Sequence, residues 1–358
     1  VQMIAEAGFH WIRQEFAWED IEIHGPGDFE DRRHEPYRSA WEKYDHIVEL
    51  VEQYGLDIQV RLSNPPAWSR AAGDDNGSFA PPDDFQDYVN FAVAVAERYQ
   101  GRVNWFEIGN TPNRGKWSGF SSTAFVMASY IASERARDFD VRLAGPNVSD
   151  FEPLYNATYL GLLRRLGAVP AIHTDNLFVE RVVEPEAYDH RVLGRMARDS
   201  LKLNLVKKAR VLQAMGKKAG CEELACTYTC WTIKRLQRRS AWPEQKRVDY
   251  LVRYLALAAS SGALSRVYWG PLICSRDGLV DDAADDYPVI DQVSFYQRIR
   301  GSADSFAPTP AFRALVFTRA RLAGSQCLRA DHDPAGLSVF SYVSSEGQHF
   351  LLAWCRDG

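Results

Sequence analysis

An α/β fold of parallel strands wound into a barrel is what this sequence predicts, on three observations. Strand-like apolar runs alternate with helical patterns along most of the chain. Seven such runs recur at intervals of some tens of residues, the rhythm of βα units. No G-x-G-x-x-G turn follows the first run, which argues against a doubly wound nucleotide-binding sheet.

The elements follow in order. Gly8 to Arg13 reads as a short strand, and Trp41 to Tyr54 as a helix with Tyr44, Ile47, Val48 and Val51 on one face before Gly55 ends it. Leu56 to Leu62 is the next strand, closing on Ser63-Asn64-Pro65-Pro66-Ala67-Trp68. Asp83 and Asp84 then cap a helix whose stripe is Phe85, Tyr88, Val89, Ala92, Val93 and Ala96. Val103 to Asn110 is a strand that stops at Thr111-Pro112-Asn113, since Pro112 cannot donate to a ladder. A helix over Ser122 to Arg137 follows, and strands are expected at Val141 to Gly145, Asn176 to Val179, Glu223 to Thr229 and Val267 to Ile273. Lys202 to Lys218 reads as a helix with a solvated basic face over a stripe of Leu203, Val206, Ala209, Leu212 and Met215, and Arg247 to Ala259 as another helix.

An eight-stranded barrel needs one more strand, whose natural place is upstream of Val1, so the chain reads as truncated at its start. From about Gly324 the pattern changes to short alternating segments, Leu337 to Val343 and His349 to Trp354, the beginning of a β-sandwich module. The expected domains are therefore a (β/α)8 TIM barrel over 1–323, with its N-terminal strand missing, and the start of a β-rich module over 324–358.

Composition bounds the function. The 358 residues are 46% hydrophobic and 25% charged, enough for a large core, and no apolar run approaches the roughly 20 residues that cross a bilayer. Lys and Arg number 42 against 47 Asp and Glu, a formal charge of −5 that offers no field for a phosphate backbone, so nucleic acid is not an expected partner. The six cysteines show no zinc spacing, and no metal or other cofactor is expected. Cys230 with Cys274 and Cys327 with Cys355 can be read as disulfides or as free thiols. The compartment stays open, an extracytoplasmic one being favoured.

In such barrels the working residues sit where strands end. The candidates are Arg13 and Glu15, Asn64 and Trp68, Asn110 and Thr111 with Asn113, Glu180 with Arg181, Tyr228 with Trp231, and Trp269 leading to Asp277.

At these positions the chain resembles a family. Gly8-Phe9-His10-Trp11-Ile12-Arg13-Gln14-Glu15-Phe16-Ala17-Trp18-Glu19-Asp20-Ile21-Glu22, Tyr44-Asp45, Pro65-Pro66-Ala67-Trp68 and Phe106-Glu107-Ile108-Gly109-Asn110-Thr111-Pro112-Asn113 are similar, in order and spacing, to the clan A glycoside hydrolases, family 39-type and family 5-type. The resemblance runs to about residue 320 and implies a barrel with a sugar cleft at the C-terminal strand ends. It also implies retaining hydrolysis by two glutamates about 5–5.5 Å apart. In the family pattern the acid/base is the Glu of an Asn-Glu-Pro motif; here that position is Thr111. The nucleophile belongs to a Thr-Glu-x-Gly-Trp segment; here the segment is Thr227-Tyr228-Thr229-Cys230-Trp231, with Tyr228 in its place. Gly109 stands for a family Trp, Cys230 for a Gly, and Glu180-Arg181-Val182 for a His-x-Tyr site. A threonine hydroxyl does not titrate near neutrality, and tyrosine is a poor substitute for a carboxylate.

The expectation is a barrel that has drifted from hydrolysis, with Arg13, Asn64, Trp68, Asn110, Asn113, Glu180, Trp231 and Trp269 as its carbohydrate-contacting residues. Each also has a structural reading. Glu107 reads as a carboxylate paired with Arg13, Asn110 as a loop cap, Glu180 and Arg181 as a rim ion pair, and most of the ten tryptophans as core, while Trp117 joins Trp68, Trp231 and Trp269 as a candidate to stack on sugar rings. Two further functions stay in view: a glycosidase with relocated groups (Glu15, Glu180, Asp277, or Tyr228 as nucleophile) and a structural subunit whose filled cleft or C-terminal module meets protein partners.

Overall fold

The structure, a computed structural model, describes residues 1–73, 80–114, 122–176, 183–188, 202–273, 278–281, 305–332 and 336–355. Its main sheet has seven strands hydrogen-bonded in chain order. They are β1 (Trp11–Ala17), β2 (Asp57–Ser63), β3 (Trp105–Ile108), β4 (Arg142–Ser149), β5 (Ile172–Asn176), β6 (Glu223–Thr229) and β7 (Arg266–Trp269). The pairings from β1 through β6 are parallel. Helices fall between them: α1 (Glu42–Gln53), α2 (Phe85–Arg98), α3 (Ser122–Ala136), α4 (Pro153–Leu166), α5 (Leu205–Ala219) and α6 (Pro243–Ser260). Consecutive parallel strands need such crossovers, which brings their C-terminal ends to one edge of the sheet.

By contact the chain forms two compact units, Val1–Asn176 with Leu212–Thr227, and Leu177–Val211 with Tyr228–Gly358. In the first, apolar faces of α1 to α4 close over the strands. Trp18 stacks on Phe91 (5.5 Å between centroids) and meets Tyr88 and Trp68 edge-on, and Phe16 packs between Tyr44 and Tyr99. Burial of each large aromatic stabilises by a few kcal/mol, and the ring geometry adds about 0.5–1.5 kcal/mol per pair. Asp84 caps α2 by accepting from the Gln86 amide (2.8 Å), the role its sequence position predicts.

The second unit is built on α6 and α7 (Pro310–Leu322), with an antiparallel three-stranded sheet, β8 (Gln326–His332), β9 (Leu337–Val343) and β10 (His349–Cys355), in that spatial order. Tyr342 of β9 is buried and donates to the Ala256 carbonyl of α6 (2.7 Å). Trp354 of β10 donates to Glu186 (2.7 Å), whose carboxylate takes a two-pronged contact from Arg253 of α6 (2.9 and 2.6 Å). Both ends of that ion pair are buried, so its hydrogen-bond geometry must offset a large desolvation cost.

Several expected boundaries move. The first strand is Trp11–Ala17, not Gly8 to Arg13, so Arg13 and Glu15 lie within it. The strand expected at Asn176 to Val179 is found at Ile172–Asn176, and 177–182 lie outside the described residues. Its polar residues are buried: the His173 ring contacts the Leu212 carbonyl (3.1 Å) and Asn156 Oδ1 (2.8 Å), and Asn156 donates to Asp175 (3.1 Å). The last strand of the sheet ends at Trp269, and Ile273 makes only an isolated bridge to Val280. Strand β8 lacks alternation because its register slips between Cys327 and Arg329. Cys327 and Cys355 are free thiols on opposite outer strands, facing Tyr342 and Leu337 of β9; Cys230 is buried and donates to Tyr228, and Cys274 lies outside the described residues. Lys208 of α5 is buried, an exception to the solvated face expected there.

Candidate functional site

In the first unit, the C-terminal strand ends carry buried polar side chains in registered rows. Glu15, Arg61 and Glu107 occupy matching positions on β1, β2 and β3, with Arg13 one pleat below. Arg13 donates through Nε to Glu107 Oε2 (2.7 Å), and its Nη2 closes a second contact to the same oxygen. Arg61 pairs with Glu15 (2.6 Å), which also accepts from Ser63, and reaches Asn110 Oδ1 (3.1 Å). Glu107 is 0% exposed, and its Oε1 finds no hydrogen-bond donor among the described residues. Burial lowers the Arg13 guanidinium from its ordinary value, Glu107 pulls the other way, and Arg61 adds to the lowering. Two acids and two arginines thus alternate through this layer, and neither carboxylate is presented alone.

Strand β3 then turns sharply. Gly109 has φ +70°, and a Cβ there would lie 2.6 Å from the Phe125 ring, so Phe125 takes the space that a side chain at 109 would need. Its N–H donates to Leu62 O (2.9 Å) and to Tyr88 Oη (3.1 Å), while Tyr88 donates to Leu62 O (2.7 Å). Thr111 follows with φ +43°, an outlier for a β-branched residue, and its buried Oγ1 has no hydrogen-bond partner among the described residues. The turn closes where the Arg114 amide donates to Thr111 O (2.9 Å), with Pro112 and Asn113 at its corners. Asn113 clamps the loop to β4, donating to Ser149 O (2.8 Å) and accepting from Ser149 N (2.9 Å).

Beside these, Asn64 is buried at φ +58° and approaches Glu19 (3.4 Å), and Trp68 donates to the Glu22 carbonyl (2.7 Å). Three residues absent from the sequence-based set extend the polar layer: Arg61, Asn147 and Thr227. Thr227 Oγ1 lies 2.8 Å from Asn147 Oδ1 and 2.7 Å from Asn176 Oδ1, joining the ends of β4, β5 and β6. The rule that strand ends carry the polar work would have found Asn147 had β4 been extended to Ser149.

In the second unit, Tyr228 is half-buried on β6. A Cβ at Gly270 would meet its ring at 2.9 Å, so that glycine makes room for the tyrosine, whose Oη accepts from Cys230 Sγ (3.1 Å). Trp231 is 1% exposed, enclosed by Tyr250, Tyr254 and Trp269 at 5.7, 5.6 and 6.0 Å, and donates to Val183 O (3.1 Å). Trp269 stacks on it and keeps a partly exposed edge. Glu180, Arg181, Asp277 and Trp117 lie outside the described residues. Among the described residues no cluster of His, Cys, Asp or Glu is arranged to hold a metal, and no helix is long and apolar enough to cross a membrane.

Seven parallel strands in sequence order, ending in polar turns, meet their counterparts in solved structures. A family 39 glycoside hydrolase from Bacteroides cellulosilyticus WH2 superposes with a TM-score of 0.70 at 15% identity, covering 100% of this chain and 67% of that one. The chain carries the barrel fold of glycoside hydrolases. A glucosidase from Croceicoccus marinus matches over 98% of this chain and 70% of its own, with a TM-score of 0.63 at 13% identity. A GH5-4 broad-specificity endoglucanase from Clostridium acetobutylicum matches over 88% and 87%, with a TM-score of 0.54 at 14% identity. No protein-family model and no curated protein matches the sequence. At these identities the likeness concerns the barrel and not its chemistry.

Proposed function

We propose that this glycoside-hydrolase-like barrel has lost retaining hydrolysis and serves to bind carbohydrate at its strand ends. The observation that carries the reading is the tip of β3. Thr111 stands where the resemblance places the acid/base, and the nearby acids Glu107 and Glu15 are engaged by Arg13 and Arg61. Retaining chemistry needs one carboxyl that donates a proton and one that attacks carbon. A threonine and two arginine-held carboxylates supply neither role.

What remains suits binding. In the first unit Asn110, Asn113 and Asn64 supply amides, and Trp68 supplies a half-buried indole. The strained backbone at Thr111 supports a retained site, since strain of about 1–3 kcal/mol persists where the surroundings over-determine it. In the second unit the half-buried indole of Trp269 stacks on the buried Trp231. The test is a panel of aryl glycosides and polysaccharides with pure protein. Retention by a polysaccharide without turnover supports the reading, whereas turnover abolished by substitutions at the strand ends would establish an enzyme with relocated groups.

A further inference from the structure

The segment after β6 carries a feature that the polar layer does not absorb. Trp231 and Thr232 are buried, and Thr232 caps a short helical turn, Ile233–Leu236, by accepting from the Arg235 amide (3.3 Å). Ile233 and Leu236 point inward and are buried, which turns Lys234, Arg235, Arg238 and Arg239 outward, all exposed. Trp242, at the N-cap of α6, is 77% exposed. The sequence from 234 to 246 holds five cations and one carboxylate, Glu244, which is turned to the buried Arg247 (3.2 Å). Arg238 and Arg239 make no ion pair among the described residues. This stretch belongs to a chain whose formal charge is −5.

We propose that the outer side of 234–246 is a binding surface for an acidic polysaccharide, one bearing uronate carboxylates. The inference rests on the carbohydrate-binding reading above and names its ligand class. Guanidinium groups match carboxylates by paired hydrogen bonds, and an exposed indole offers a flat face to a pyranose ring. Position agrees, since the stretch is a βα connection leaving the C-terminal end of a barrel strand, where such folds hold their ligands. A membrane surface fits less well: Ile233 and Leu236 are committed to the core, which leaves Trp242 as the exposed indole without an apolar face beside it. Nucleic acid fits less well because its dense charge is opposed by the acidity of the whole chain.

The experiment measures binding of the whole chain to polygalacturonate, to neutral xylan and to phosphatidylglycerol vesicles at two salt concentrations. The expected result is polygalacturonate binding that weakens with salt. Arg238→Ser with Arg239→Ser should lower it about tenfold, the equivalent of about 1.4 kcal/mol, and flatten its salt dependence. Trp242→Ala should lower it several-fold with the salt dependence kept. Because these side chains are exposed, an unchanged unfolding midpoint checks that the variants remain folded. Binding to polygalacturonate equal in wild type and the double variant overturns the proposal, as does loop-dependent binding to vesicles alone. Xylan binding untouched by the loop variants, with no polygalacturonate binding, overturns this inference and leaves the carbohydrate reading standing. Failure to bind either glycan overturns both.

Discussion

At the residue scale, Glu107 takes the place that the sequence reading gave it, paired with Arg13. An acid inside an apolar strand invites a catalytic role, but here it is buried against Arg13 on β1 and lies beside Arg61 on β2. Removing one partner leaves a charge in a site built for two, so Glu107→Gln should destabilise by about 3 kcal/mol in urea unfolding. Replacing Arg13 and Glu107 together with methionines should cost clearly less than the sum of the single changes, and a double-mutant cycle reads the difference. Asn113 makes a second case. Asn113→Ala strands both the amide and the carbonyl of Ser149, and should cost about 2 kcal/mol by the same measurement.

At the element scale, what was legible in the sequence was what obeyed a period. Helix α2 came with its capping aspartate and much of its stripe, because Tyr88, Val89, Ala92 and Ala96 follow helical spacing, while the buried Phe91 and Val95 widen that face. Strand β5 was misplaced because His173 and Asp175 are buried by pairing with other polar groups, which hydrophobic patterning cannot register. Strand β8 was missed where its register slips. The tip of β3 was read correctly as a polar turn, yet the tie from Asn113 to Ser149 joins residues 36 apart and has no local signal. Exposure divides the tryptophans in the same way. Trp231→Ala should cost about 3–5 kcal/mol, since it empties an aromatic cluster, whereas Trp242→Ala should stay within about 0.5 kcal/mol. The β8–β10 sheet is tied to α6 through Glu186, and Trp354→Phe should cost about 1 kcal/mol by removing one hydrogen bond to a buried carboxylate.

For the whole molecule, the fold and the chemistry separate. A barrel with seven strands in chain order persists, and its likeness to glycoside hydrolases spans the chain. The strand ends within it are closely fitted: Phe125 fills the space beside Gly109, Gly270 makes room for Tyr228, and arginines face Glu107 and Glu15. Each of these side chains fits its neighbours, as a packed interior requires. The most direct test of the central claim is the rate at which purified protein releases nitrophenol from a broad panel of aryl glycosides, run beside polysaccharide binding. The expected result is binding without release above the uncatalysed rate. Steady release that disappears when Glu15 or Tyr228 is replaced would contradict it.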